Sequence, residues 1–67
     1  MNNIERFNES DIGTTIKFSN DRNEPVKATI KEVGTGATAE LLTVTLQQDD
    51  RWVEKGETIL IKKETVL

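Results

Sequence analysis

Apolar and polar residues alternate one by one in three separate runs of this 67-residue chain. The runs are centred on Ile16 and Phe18, on residues 26–30 and on residues 42–46. Because successive side chains of a β-strand point to opposite faces, each run has one apolar face and one polar face. The alternation therefore predicts an all-β domain whose core is built from the apolar faces.

Turn-forming residues separate these runs and divide the chain into four predicted strands, at about 14–19, 26–33, 40–48 and 57–62. Asp and Ser in residues 10–13 bond nearby backbone N–H groups, and Gly13 supplies a positive φ, so these residues predict a turn into the first strand. Pro25 lacks an N–H group and marks the start of the second strand. The two glycines of residues 34–36 are typical of a hairpin with a bulge.

Three segments leave alternatives open. Residues 2–9 predict a short helical turn that Asn2 or Asn3 caps, with Ile4 and Phe7 covering one end of the small barrel that the strands would form, or an arm that orders on a partner. Good helix formers in residues 37–42 leave room for a helical turn before the third strand. Three consecutive apolar residues, 59–61, predict that the last strand is buried on both faces.

The predicted domain is single, spans residues 1–67 and contains no cysteine, so no disulfide can stabilise it. A domain of this size buries only about 60% of the surface that its unfolded chain exposes, so each core residue matters. The predicted core consists of Ile16, Phe18, Val26, Ala28, Ile30, Leu42, Val44, Leu46, Ile59 and Ile61.

Two stretches of the chain share an order of turns and apolar positions with a known family. Residues 13–18, Gly-Thr-Thr-Ile-Lys-Phe, open a strand, and residues 56–61 lead through Lys63-Glu64-Thr65 to Val66. This order resembles the SH3-like small β-barrels. The resemblance implies a small barrel of four to five antiparallel strands, in which strand four passes through one 3₁₀ turn into a short fifth strand. Such barrels bind proline-rich peptides, modified histone tails, nucleic acids or other subunits, so the fold does not select a function.

Composition argues against catalysis. The chain has no histidine and no cysteine, which removes the commonest general base, the commonest metal ligands and thiol nucleophiles. Gly34 and Gly36 lack the third glycine of a dinucleotide fingerprint and the lysine of a P-loop, so they predict a turn. We therefore expect no enzymatic activity, no metal and no cofactor. With neither an apolar span nor a signal sequence, the chain is expected to be cytoplasmic without membrane contact.

The leading functional hypothesis is protein binding by a small accessory or adaptor module. Tryptophan and arginine are enriched among the residues that dominate binding energy, and they are adjacent at Arg51 and Trp52. The predicted polar rim of this anchor is Asp49, Asp50 and Glu54. The competing interpretation places Trp52 over the barrel end, against Val53 or Ile4, because a thin core needs its largest side chain. The chain length suggests a phage or mobile-element protein, or an excised module.

Two other functions stay open. Nucleic-acid binding would use an outward lysine stripe consisting of Lys17, Lys27, Lys31 and Lys62, with Lys63 beside Lys62 on a neighbouring strand. A net charge of −3 and the lack of interleaved aromatic residues weaken that hypothesis. A structural homo-oligomer would form if a sheet edge paired with another copy of the chain.

Overall fold

The computed structural model describes residues 6–67 as one antiparallel sheet of four strands. The strands follow chain order across the sheet: β1 (Thr15–Ser19), β2 (Pro25–Val33), β3 (Leu41–Leu46) and β4 (Thr58–Lys62). The prediction of an all-β domain is confirmed, and each predicted strand is present. The third strand ends two residues earlier than predicted, at Leu46.

The helical segments of residues 6–67 are 3₁₀ turns of three residues each, Glu9–Asp11, Gly36–Thr38 and Lys63–Thr65. None of them is long enough or apolar enough to cross a membrane.

The segment before β1 forms one of these turns and then reverses direction. Asn8 caps it by accepting from the Ser10 N–H at 2.9 Å, while the Asp11 carboxylate accepts from the Asn8 N–H at 2.9 Å. Gly13 has a φ of +93°, which confirms the predicted turn into β1. Phe7 is half-buried and packs against the core, whereas the predicted roles of Asn2, Asn3 and Ile4 fall outside the described residues.

The core lies on the inner face of the sheet. All of the predicted core residues are buried except Ile16 and Ile59, which are half-buried and pack against the others. Val66 also belongs to the core, with only 7% of its surface exposed, although no alternating run pointed to it.

The prediction that β4 is buried on both faces is wrong. Leu60 pairs with Thr43 on the outer face and remains 65% exposed, while Ile61 on the inner face is buried. In residues 6–67 no second layer covers the outer face, so the consecutive apolar residues of β4 meet two different environments.

The C-terminal residues fold back onto β1. After the 3₁₀ turn Lys63–Thr65, Val66 forms a single bridge with Phe18, and the Leu67 N–H donates to the Lys17 carbonyl at 2.9 Å. The Arg6 guanidinium donates to the Val66 carbonyl at 3.0 Å. The sheet therefore stays open, and its first strand is covered at these residues by the end of the chain.

The connection between β2 and β3 differs from a simple bulged hairpin. The bulge lies inside β2, where the register shifts between Ile30 and Glu32, and the helical turn before β3 is the 3₁₀ turn Gly36–Thr38. A Cβ atom on Gly34 would lie 1.8 Å from the Thr38 carbonyl oxygen. Only glycine therefore allows the backbone of this connection to close so tightly.

Truncation of Ile30 tests the core. Ile30 is 1% exposed, so Ile30→Ala should lower the free energy of unfolding by roughly 2–4 kcal/mol, measured by urea denaturation. Ile12→Ala is the matched control, because Ile12 is 49% exposed and its truncation should change stability by less than about 0.5 kcal/mol. Equal losses in the two variants would contradict the core assignment.

Candidate functional site

Two loops meet beyond one end of the sheet, the β1–β2 loop (residues 20–24) and the β3–β4 loop (residues 47–57). The Asp50 carboxylate joins them, because it accepts from Asn20 Nδ2 at 3.0 Å and from Arg22 Nη2 at 2.9 Å. Arg22 Nε also donates to Glu24 Oε1 at 2.7 Å. These bonds fix the position of one loop relative to the other.

The β1–β2 loop is organised around one asparagine side chain. Asn20 Oδ1 accepts from the backbone N–H groups of Arg22 and Glu24, each at 2.9 Å. Asn23 takes a positive φ of +59°, which asparagine tolerates better than most residues. The side chain that holds this loop is therefore also the one that reaches Asp50.

Within the β3–β4 loop, residues 50–53 form a tight turn. The N–H of Asp50 donates to the Val53 carbonyl and the N–H of Val53 donates to the Asp50 carbonyl, both at 2.8 Å. Arg51 has a φ of +46°, in the left-handed region that non-glycine residues seldom adopt. Val53 packs against the core, so the turn is anchored at its base and presents Arg51 and Trp52 at its tip.

The Trp52 side chain lies outside the core. It is 86% exposed, and the Arg51 guanidinium carbon lies 5.8 Å from the centre of its ring, within the range of a cation–π contact. The interpretation that Trp52 packs over the barrel end is therefore wrong. The bridge between Asp50 and Val53 turns the intervening residues away from the sheet, and half-buried Val53 occupies the inward position instead.

The three predicted rim carboxylates have different surroundings. The Asp50 carboxylate accepts from Asn20 of the other loop, and Asp49 Oδ1 accepts from the Lys55 N–H at 2.8 Å. Both carboxylates therefore stabilise the conformation of the β3–β4 loop. The Glu54 side chain is exposed. Its backbone N–H donates to the Glu57 carboxylate, which closes the turn before β4.

The loops also carry much of the negative charge of the chain. Six acidic and three basic residues lie within residues 20–24 and 47–57. The hydrogen bond from Arg22 lowers the pKa of the Glu24 carboxyl, and the same bond raises the pKa of the Arg22 guanidinium. Both side chains are therefore ionised at neutral pH and neutralise each other. Positive charge near the tip then comes mainly from Arg51 and Lys55.

The structure does not bring the predicted lysine stripe together. Lys17 and Lys27 are cross-strand partners, but Lys31 falls at the bulge of β2. Lys62 pairs with Leu41, whereas the backbone carbonyl of Lys27 accepts from the N–H of Gln47, six residues further along the chain from Leu41. Six residues of extended chain span about 20 Å. Lys17 and Lys27 are therefore adjacent, whereas Lys62 lies near the other end of the sheet.

Lys63 is not on the sheet surface. It lies in the last 3₁₀ turn, is 1% exposed, and its Nζ donates to the Gly34 carbonyl at 3.4 Å. The prediction that it extends the stripe is wrong, because the chain turns at Lys63 and carries the side chain under the β2–β3 connection.

Sequence reasoning missed the contribution of the β1–β2 loop to this site. Asn20 and Arg22 were visible only as members of a polar loop, and no local pattern links them to Asp50, 30 and 28 residues away. Beside the turn lies a shallow pocket of about 170 Å³, lined by residues of both loops. Its lining is Asp21, Arg22, Asp50, Arg51, Trp52 and Val53.

Within residues 6–67, no three histidine, cysteine, aspartate or glutamate side chains lie close enough together to hold a metal ion. No protein-family model, curated protein or solved structure matches the chain. The function must therefore be inferred from the geometry of the residues described above.

Tryptophan fluorescence tests the exposure of the turn, because Trp52 is the lone tryptophan. The native protein should show a red-shifted emission maximum and be quenched by acrylamide nearly as readily as the unfolded chain. Trp52→Ala should change the free energy of unfolding by less than about 0.5 kcal/mol. A blue-shifted, protected emission would contradict the exposed position.

Titration of Glu24 tests the contact between Arg22 and Glu24. Because the pKa of Glu24 is lower in the folded protein than in the unfolded chain, its ionised form stabilises the fold above the ordinary glutamate pKa. That stabilisation is lost as the pH falls through the folded pKa. In an NMR pH titration, Arg22→Gln should raise the pKa of Glu24 toward its ordinary value, and an unchanged value would contradict the ion pair.

Proposed function

We propose that this protein is a non-catalytic protein-binding module that contacts its partner through the Arg51–Trp52 turn. The observation that carries the proposal is the 86% exposure of its lone tryptophan. Covering a large exposed apolar side chain with a partner lowers the free energy of the complex. Tryptophan and arginine are also among the residue types that contribute most to binding energy at interfaces.

The rigidity of the turn supports the proposal. Binding is weakened whenever loops must be ordered on association, and pre-organised contacts avoid that loss. The turn is closed by two backbone hydrogen bonds of 2.8 Å between Asp50 and Val53, and Asn20 and Arg22 hold Asp50 from the other loop. Trp52 is therefore presented in one backbone conformation before any partner arrives.

The side chains around the turn indicate what kind of surface the partner presents. An indole ring requires an apolar pocket, and the exposed Glu54 and the other loop carboxylates favour a basic rim around that pocket. Asp49 and Asp50 act mainly by holding the turn, so the direct contacts fall to Trp52, Arg51 and Glu54.

We further propose that the fold is an SH3-like barrel. Its support is the path of the chain from β4 through the 3₁₀ turn Lys63–Thr65 to the bridge between Val66 and Phe18. A cytoplasmic adaptor encoded by a phage or mobile element is consistent with the small size and the lack of cysteine, and it stays a prediction.

Affinity capture with three versions of the full chain tests the proposed function. Wild-type protein, Trp52→Ala and the matched control Leu67→Ala are immobilised, and bound proteins are identified by mass spectrometry. Leu67 is 71% exposed, so its truncation removes a comparable exposed apolar side chain. We expect wild-type and Leu67→Ala to retain a partner that Trp52→Ala loses. With that partner purified, Trp52→Ala should weaken binding about 30-fold or more, or roughly 2 kcal/mol.

The proposal is overturned if Trp52→Ala retains every partner that the wild-type protein retains. Loss of binding in a Lys17→Glu, Lys27→Glu double variant, with Trp52→Ala unaffected, would instead favour the lysine patch. In that case the salt dependence of oligonucleotide binding decides whether nucleic acid is the ligand.

A further inference from the structure

Within the part of the chain that the structure describes, strand β4 lies at the edge of the sheet and pairs with β3 alone. The N–H of Leu46 donates to the Glu57 carbonyl at 2.9 Å, and the N–H of Lys63 donates to the Glu40 carbonyl at 2.8 Å. In an antiparallel ladder, residues that bond to a given neighbour alternate with residues that point away from it. The odd-numbered residues 57–63 therefore bond to β3, and the even-numbered ones do not.

The backbone groups on the free side of β4 belong to Thr58, Leu60 and Lys62. Within residues 6–67, the N–H and C=O groups of Thr58 and Leu60 have no hydrogen-bond partner on that side. The Lys62 carbonyl accepts from the Thr65 hydroxyl at 2.7 Å, which leaves its second lone pair. A row of unsatisfied backbone groups of this kind is a template for another strand.

The two edge strands of the sheet, β1 and β4, differ in how far other residues cover them. At the β1 edge, the Lys17 carbonyl accepts from the Leu67 N–H, and Phe18 bridges Val66, so residues 66 and 67 cover this part of the strand. At the β4 edge, no described residue plays that part. Among the described residues, β4 is therefore the edge strand whose outward backbone groups are the more open to an additional strand.

Leu60 makes this edge apolar as well as unpaired. It is 65% exposed at the centre of β4, beside a shallow pocket of about 340 Å³ on the outer face that Leu41 and Thr43 also line. Edge strands that avoid association carry charges or proline at such a position. Here the central outward residue is a leucine, which favours contact with another apolar side chain.

We propose that two copies of this chain pair through β4, antiparallel, about a two-fold axis at Leu60. In this register Leu60 lies opposite Leu60 of the second copy, and Thr58 lies opposite Lys62 of the second copy. The two-fold axis adds a third pair, Lys62 opposite Thr58 of the second copy. All three are hydrogen-bonded pairs, because the backbone groups of these residues point away from β3. No like charges face each other, and the two leucines cover one another, so the edge is complementary to itself.

This dimer uses β4 and leaves the Arg51–Trp52 turn free, so it is independent of the proposed function. One pair of five-residue strands buries less surface than a standard stable interface. We therefore expect a weak dimer that forms at high protein concentration. Each dimer would present two copies of the turn to a partner.

Sedimentation of the full chain, from micromolar to millimolar concentration, tests the proposal. The mass of the wild-type protein should rise with concentration from 7.6 kDa toward twice that value. Leu60→Glu should stay monomeric, because two carboxylates would face each other across the axis. Leu60→Lys should stay monomeric for the same reason, and an equimolar mixture of the two variants should recover the dimer.

Controls separate this dimer from other contacts. Leu67→Glu, which alters another exposed leucine, and Trp52→Ala should both dimerise like the wild-type protein. As a check that needs no variant, the amides of Thr58, Leu60 and Lys62 should gain protection from hydrogen exchange as the wild-type concentration rises, whereas the amide of Lys17 should not.

A wild-type protein that remains monomeric throughout the concentration range overturns the proposal. So does a Leu60→Glu variant that dimerises as strongly as the wild-type, or a mixture of the two charged variants that stays monomeric. Loss of the dimer in Trp52→Ala, with Leu60→Glu unaffected, would place self-association at the turn instead.

Discussion

A single sheet of four strands has to bury its own apolar face, and this requirement governs the rest of the structure. In residues 6–67 no helix longer than a 3₁₀ turn is available to form a second layer. The inner face is covered instead by side chains from outside the four strands, including Phe7 and Val66 from the two ends of the described chain. The bridge between Val66 and Phe18 secures this arrangement by joining the C-terminal residues to the first strand.

Because the sheet must bury its apolar face, some polar side chains at the turns are also buried and need hydrogen-bond partners. Lys63 is buried because the chain must pass from β4 to β1 beneath the β2–β3 connection, and its ammonium group donates to the Gly34 carbonyl. At the loop end, Asp50 is held by Asn20 and Arg22 from the neighbouring loop. A buried or half-buried polar group needs such partners, and these bonds stiffen the connections around a small core.

The two surfaces proposed for binding, the Arg51–Trp52 turn and the β4 edge, each carry a large apolar side chain that the core does not bury. The turn at residues 50–53 places half-buried Val53 inward and therefore turns Trp52 outward, where it is 86% exposed. The C-terminal residues cover the β1 edge and leave the β4 edge with Leu60 exposed. The proposed protein-binding turn and the proposed dimer edge share no residue, so the two proposals are compatible.

The sequence by itself determined the strands and most of the inner face, because strand periodicity is local and runs of Val, Ile and Thr leave little choice of register. The residue types of Arg51 and Trp52 alone also made them candidates for a binding site. Only the tertiary structure decided that Leu60 faces water, that Lys63 is buried, and that Val66 completes the core. Each of these depends on which distant segment covers which face: Gly34 lies 29 residues from Lys63, and Asn20 lies 30 residues from Asp50. Such pairings arise from the way that distant segments meet in the folded chain, and no pattern within one strand encodes them.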